Sequence, residues 1–313
     1  MSSELVVRLP NHLGDACMAL PALELLAARG HAPTLAGQSW AADLFAAYPW
    51  PALRLPEERR ARVAALRDRF RPGTAALLLT NSVGSALDFH LARLRSAGYR
   101  TDLRRPLLAR AFAVPARWRQ AEAPMHMVEY YYALAGEFTG GHAPPPPPDL
   151  SLRLPPVAIE RARVALRAAG IGGAFVMLCP VAIGLHKGKI KAWDGFGALC
   201  KELLGSGVPV AACPGPGESD AVRSAIPGAT VLPETDVATF AALLAASRLV
   251  VANDSGSAHV AAAVGAPLVT IFGVTDARRT GPWSSTAIRV GSADRWPDYD
   301  EVTAAVGRQL ASQ

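Results

Sequence analysis

The sequence predicts an α/β protein made of two doubly wound domains, each a parallel sheet with helices on both faces. Short apolar runs alternate with amphipathic helical segments along the chain, the pattern of βα units. The 313 residues are about twice a typical single domain, and 50% hydrophobic content is ample for two cores. Five consecutive prolines, 144–148, form a stiff spacer that no helix or central strand accommodates. The expected domains are therefore 1–148 and 149–297, with a last helical segment, 298–313, returning to pack on the first domain.

The apolar run 5–9 reads as a first strand, followed by Pro10-Asn11-His12-Leu13-Gly14-Asp15 and an amphipathic helix over about 16–28. Further strands are expected near Thr34 and Leu77, with a helix over 59–70. Beyond the prolines, strands near Val176, Val208, Thr230, Leu249 and Leu268 alternate with helices over 159–169, 193–204, 219–225 and 237–246. A final helix covers about 298–310. No internal repeat accompanies this rhythm.

Several classes are disfavoured by what the chain lacks. No run of 18 apolar residues occurs, and Met1-Ser2-Ser3-Glu4 leads into a strand without a basic, apolar leader, so a cytoplasmic protein is expected. Cys17, Cys179, Cys200 and Cys213 are scattered without a C-x-x-C pair and read as reduced core residues. The loop Pro214-Gly215-Pro216-Gly217-Glu218-Ser219 has Asp220 where a dinucleotide fingerprint needs its third glycine, and no P-loop motif is present. The net charge is +6, but Arg93, Arg95, Arg100, Arg104, Arg105, Arg110, Arg117 and Arg119 share a stretch with one acid, Asp102. That stretch suits an anionic partner, such as an acidic glycan, a lipid phosphate or a membrane surface, or is a solvated basic face. Without interleaved stacking aromatics, nucleic acid is not expected.

Four places carry chemistry. Asp15 lies where a first strand meets its helix, at the carboxyl edge of a parallel sheet, and either caps that helix or takes a proton from a hydroxyl. Asn253-Asp254-Ser255-Gly256-Ser257-Ala258-His259 reads as strand, polar turn and helix, with Gly265 as C-cap and Pro267 barring continuation. The backbone N–H groups of Ser255, Gly256 and Ser257 can hold phosphate oxygens; alternatively Asp254 or Ser255 is only an N-cap. Three of the four lysines, Lys187, Lys189 and Lys191, fall in a loop after the strand near Val176, suited to a diphosphate leaving group or simply solvated. Glu218 either accepts from ribose hydroxyls or favours its helix dipole.

Asn11-His12-Leu13-Gly14-Asp15 together with residues 253–259, Val260-Ala261-Ala262-Ala263 and Pro267-Leu268-Val269-Thr270-Ile271-Phe272-Gly273 resembles the ADP-heptose:lipopolysaccharide heptosyltransferases of glycosyltransferase family 9. Leu79-Thr80-Asn81-Ser82 and Met127-Val128-Glu129-Tyr130-Tyr131 are similar to the heptosyltransferase II branch. The resemblance implies a GT-B fold, two Rossmann-like domains facing across a cleft, with acceptor on the first and nucleotide sugar on the second. It implies that Asp15 is the general base, Lys191 contacts the diphosphate, Glu218 the ribose, Asp254 the donor sugar, Ser255 and Gly256 the phosphates, and that His259 lies beside them. Asn11, Gly14, Lys187, Lys189 and Ser257 are secondary candidates, and Asn81, Ser82, Arg93, Arg95, Arg104 and Arg105 are acceptor candidates.

The implied reaction is an inverting transfer of heptose from ADP-L-glycero-D-manno-heptose to the inner core of lipopolysaccharide. The acceptor would be a lipid-linked acidic glycan, met by peripheral contact with the cytoplasmic face of the inner membrane. Lys191 and backbone N–H groups can neutralise the departing diphosphate, so no cofactor or metal is required. The loop 181–190 lacks the small hydroxyl residues expected from heptosyltransferase I, and position 192 is alanine where heptosyltransferase II tends to carry arginine. Another nucleotide sugar or acceptor, or a binding module without catalysis, remain alternatives.

Overall fold

The computed structural model describes residues 3–141, 143–182, 185–186 and 188–312. By internal contacts the chain divides into two units, 1–147 and 148–313. Among the described residues no helix is long and apolar enough to cross a membrane.

The first unit contains β1 (Ser3–Arg8), α1 (Leu13–Met18), α2 (Leu20–Ala28), β2 (His31–Gly37), α3 (Ala41–Leu44), β3 (Ala52–Arg54), α4 (Arg59–Arg69), β4 (Ala75–Leu78), α5 (Val83–Leu91), β5 (Arg95–Tyr99), β6 (Arg110–Phe112) and α6 (Met127–Phe138). Its six strands are parallel, in the order β3-β2-β1-β4-β5-β6. Both faces of the inner strands are covered, which is why Leu5, Val6 and Val7 form a continuous apolar run and are all fully buried. Val6, Ala36, Leu66, Leu78 and Phe89 belong to one core, while α2 packs with α6. A capping box starts α6: the N–H of Val128 donates to His126 Nδ1 (3.2 Å) and the N–H of His126 to Glu129 Oε2 (2.8 Å).

The second unit repeats the plan with β7 (Val176–Cys179), β10 (Val210–Ala212), β11 (Thr230–Val231), β12 (Leu249–Asn253), β13 (Leu268–Phe272) and β14 (Ile288–Gly291), all parallel in the order β11-β10-β7-β12-β13-β14. A small antiparallel pair, β8 (Leu185–His186) and β9 (Lys189–Ile190), lies in the loop after β7. The helices are α7 (Pro156–Ala168), α8 (Phe196–Gly205), α9 (Ser219–Ala225), α10 (Val237–Ala246), α11 (Gly256–Ala263), α12 (Ala277–Thr280) and α13 (Tyr299–Ala311). Gly265 follows α11 with φ of 72°, the left-handed cap position that glycine takes without strain.

Val302, Ala305 and Val306 of α13 pack with Val269, Ile271 and Val290 in the second unit's core. This apolar stripe covers one face of β13 and β14.

Candidate functional site

In both units the chain reverses its direction of winding at one point of the sheet, between β1 and β4 in the first and between β7 and β12 in the second. Ligands of open α/β sheets bind at the carboxyl ends of the strands flanking such a point. The loop after β1 carries Asp15 and that after β4 carries Asn81 and Ser82; the loop after β7 carries Lys191 and that after β12 carries Asp254. These four loops thus flank two switch points, one per unit, while Glu218 follows β10, one strand away from the second.

In the first unit Asp15 sits in the first turn of α1, which favours a carboxylate, but the N-cap is His12 and no side chain caps the helix. The buried Tyr131 hydroxyl donates to Asp15 Oδ1 at 3.3 Å, a partner 116 residues away. Burial, reinforced by Asp15, pushes the Tyr131 hydroxyl well above its ordinary range, so it remains a donor. Gly14 is buried beneath this turn, and exposed Asn11 accepts from Arg8 Nη2 at 2.6 Å. Arg59 and Arg62 of α4 meet buried Asp88 at 3.0 and 2.6 Å, two guanidinium groups on one carboxylate. Sequence reading, drawn to the denser arginine stretch after residue 93, missed this pair.

The acceptor candidates separate. Asn81 exchanges hydrogen bonds with Tyr130, 2.9 Å as donor and 3.2 Å as acceptor. Ser82 is the exposed N-cap of α5, accepting from the N–H of Ser85. Arg105 is exposed after β5, at the same carboxyl edge. Arg104 is fully buried and donates to the carbonyls of Tyr99 (2.8 Å) and Thr80 and to Asn81 Oδ1 (3.2 Å), so it staples the strand ends. Arg93 and Arg95 stand at the start of β5, beside the start of β4. In a parallel sheet that is the end opposite Asp15, a strand length of roughly 13 Å away.

In the second unit Asp254 is buried directly after β12. Its Oδ2 pairs with Lys191 Nζ at 3.2 Å and accepts from Thr275 Oγ1 at 2.6 Å, while His259 Nε2 lies 3.9 Å from Oδ1. Thr275 gave no signal in the sequence, being one of several hydroxyls beyond β13. Helix α11 begins at Gly256 with Ser255 as N-cap, and no side chain caps it. The Ser255 Oγ is buried without a hydrogen-bond partner among the described residues. An N-terminus left in this state, with a lysine nearby, is suited to an anion. Ser257 is the second residue of α11, and the thiol of Cys179 at the end of β7 is pushed up to about 12 by burial.

Glu218 bends back on its own turn: Oε2 accepts from the N–H of Gly215 at 2.9 Å. Glu234, which the sequence did not single out, braces the same loop by accepting from the N–H of Gly217 (3.1 Å) and the Ser219 hydroxyl (3.3 Å). Lys189 is exposed on β9, and Lys187 lies outside the described residues. Asp298 and Asp300 have the D-x-D spacing of a metal-binding pair, but Asp298 accepts from the N–H of Glu301 as the N-cap of α13.

A family model described as glycosyltransferase family 9 (heptosyltransferase) matches residues 63–306. Lipopolysaccharide heptosyltransferase 3 of Escherichia coli is 33% identical over 154 residues, which cover 46% of this chain and 44% of that protein. The chain thus spans less than half of that relative. Lipooligosaccharide heptosyltransferase 2 of Haemophilus influenzae is 28% identical over 268 residues, 75% of this chain and 74% of that one. The solved ADP-heptose lipopolysaccharide heptosyltransferase II of E. coli shares the GT-B fold of two Rossmann-like domains, with a TM-score of 0.77, 23% identity and 99% of each chain covered.

Proposed function

The chain belongs to glycosyltransferase family 9, and from that premise we propose that it transfers heptose from ADP-L-glycero-D-manno-heptose to the inner core of lipopolysaccharide, as heptosyltransferase II does. The observation that carries this reading is the pairing of chemistry with topology. A carboxylate held by Tyr131 stands at one switch point, and an uncapped helix with Lys191, Asp254 and His259 stands at the other.

The second unit holds the donor. The N–H groups at the start of α11 and the Lys191 ammonium stabilise the charge that develops on the departing ADP, with no metal needed. Asp254 orients the donor sugar, with His259 beside it, and Glu218 lies towards the ribose. The first unit holds the acceptor, a lipid-linked acidic glycan, with Arg59, Arg62 and Arg105 offering positive charge to its anionic groups. Asp15 removes the proton from the acceptor hydroxyl as that oxygen attacks the anomeric carbon, and the single displacement inverts the centre. The enzyme works at the cytoplasmic face of the inner membrane as a peripheral protein.

Mass spectrometry of a lipid-linked inner-core acceptor ending in one heptose, incubated with ADP-heptose, tests the proposal. The wild type is expected to add one heptose, and Asp15→Asn to lose at least about a hundredfold in rate while still binding ADP. No addition by folded, ADP-binding wild type would refute the substrate assignment, and full activity in the variant would remove Asp15 from the mechanism.

A further inference from the structure

Asn253 closes β12, is fully buried, and uses both ends of its side-chain amide on a single loop. Its Nδ2 donates to the carbonyl of Pro180 at 2.6 Å, where that loop leaves β7. Its Oδ1 accepts from the N–H of Trp193 at 3.0 Å, where the loop ends ahead of α8. Residues 181–192 lie between, and among them Lys191 is two positions from the clamped amide. The next residue of β12, Asp254, receives the Lys191 ammonium itself. Two consecutive residues at one strand end therefore fix the backbone feet of the loop and its charged tip.

The chemistry of the side chain matters here. A primary amide presents a donor and an acceptor on two arms of one planar group, which neither a carboxylate nor an apolar isostere does. Losing it would orphan a buried carbonyl and a buried N–H at once, and each would then draw the loop toward a different conformation. The indole of Trp193 is separately tied to the carbonyl of Pro297 at 3.2 Å, so the side chain has its own anchor and the amide clamp acts on the backbone that leads to Lys191.

We propose that Asn253 is a positioning residue: it holds the loop so that the Lys191 ammonium stands where the diphosphate of a nucleotide sugar arrives at the start of α11. The proposal rests on the donor-site reading above. It makes the selectivity for a diphosphate over a bare nucleoside depend on a side chain that need not touch the ligand.

The test is calorimetric binding of ADP and of adenosine to wild type, Asn253→Leu, Lys191→Ala and the double variant. Asn253→Leu is expected to weaken ADP about tenfold and adenosine by less than about twofold. In the Lys191→Ala background the further loss of ADP affinity should fall below about twofold, because the two residues act along one path. Equal losses of ADP and adenosine, or full additivity with Lys191→Ala, would reduce Asn253 to a general structural residue. Backbone hydrogen exchange supplies a readout without ligand: the Trp193 amide should lose protection in Asn253→Leu while the amides of β13 keep theirs, and unchanged Trp193 protection would overturn the clamp. Asn253→Ala replaces the leucine variant where the latter fails to fold. Wild type that binds no ADP, UDP or GDP would sink the donor-site reading and leave the exchange result to judge the clamp.

Discussion

Replacing Arg104 by methionine decides whether this arginine supports the fold or meets a ligand. Methionine keeps the apolar stem of the side chain and removes every donor. The carbonyl of Thr80 then loses its guanidinium partner, whereas the carbonyl of Tyr99 keeps the N–H of Thr101 at 3.0 Å and Asn81 Oδ1 keeps the Tyr130 hydroxyl. One buried acceptor left unpaired costs about 1–3 kcal/mol. Part of that is returned because a desolvated charge is no longer buried. The expected net loss is about 1–2 kcal/mol, a sizeable share of a total stability on the order of 5–15 kcal/mol. Urea unfolding followed by circular dichroism measures it, with Arg105→Ala as the exposed control, expected within about 0.5 kcal/mol of wild type. An Arg104→Met protein as stable as wild type, with a raised acceptor KM, would refute the staple and return Arg104 to the acceptor site.

Tyr131→Phe removes the hydroxyl that donates to Asp15 Oδ1. Because burial keeps that hydroxyl protonated through the working range, it favours the ionised carboxylate at every usable pH, and without it the acid limb of the rate profile should move to higher pH. An unchanged pH profile would show that Tyr131 has no hold on the base. Gly273→Ala places a Cβ 2.0 Å from Trp296 Cδ2, which forces apart the turn leading to Thr275. Thermal unfolding should show a loss of about 1–3 kcal/mol, and ADP titration a weaker complex as Thr275 shifts from Asp254; wild-type values in both would exclude the clash.

How much of this was legible depended on how each element declares itself. Helices α9 and α10 were read at their full extent because their apolar periodicity is bounded by clear signals, Asp236 capping the second. Strand β5 was missed: Arg95-Ser96-Ala97-Gly98-Tyr99 has no branched apolar run to mark it. Its glycine has a tertiary reason, since a Cβ on Gly98 would lie 3.1 Å from Arg104 Nη2 and 3.3 Å from the carbonyl of Leu78. Helices α5 and α6 were likewise unread: Ser82 caps the first but no strong apolar periodicity follows it, and the second begins at a histidine, which rarely serves as a cap.

The candidate site divides in the same way. Asp15, Lys191 and the 253–259 turn are local motifs, visible because strand, turn and helix follow one another in the chain. The residues that hold them are not local. Tyr131 reaches Asp15 across 116 positions, and Asn253 reaches Trp193 across 60. The arginines misled for a related reason, because composition counts charge without saying which end of a strand bears it. Arg93 and Arg95 stand at the far end of β5, and Arg104 is turned inward.

The placement of α13 also bears on how the protein is made. The first unit has a complete sheet and its covering helices by residue 138, so it can close while later residues are still being synthesised. The second cannot, because Val302, Ala305 and Val306 are the lid of its own core. A nascent chain halted before residue 299 holds Val269, Ile271 and Val290 out to water as an apolar strip, a surface that chaperones bind and that neighbouring chains stick to. Folding of the second unit therefore waits on α13.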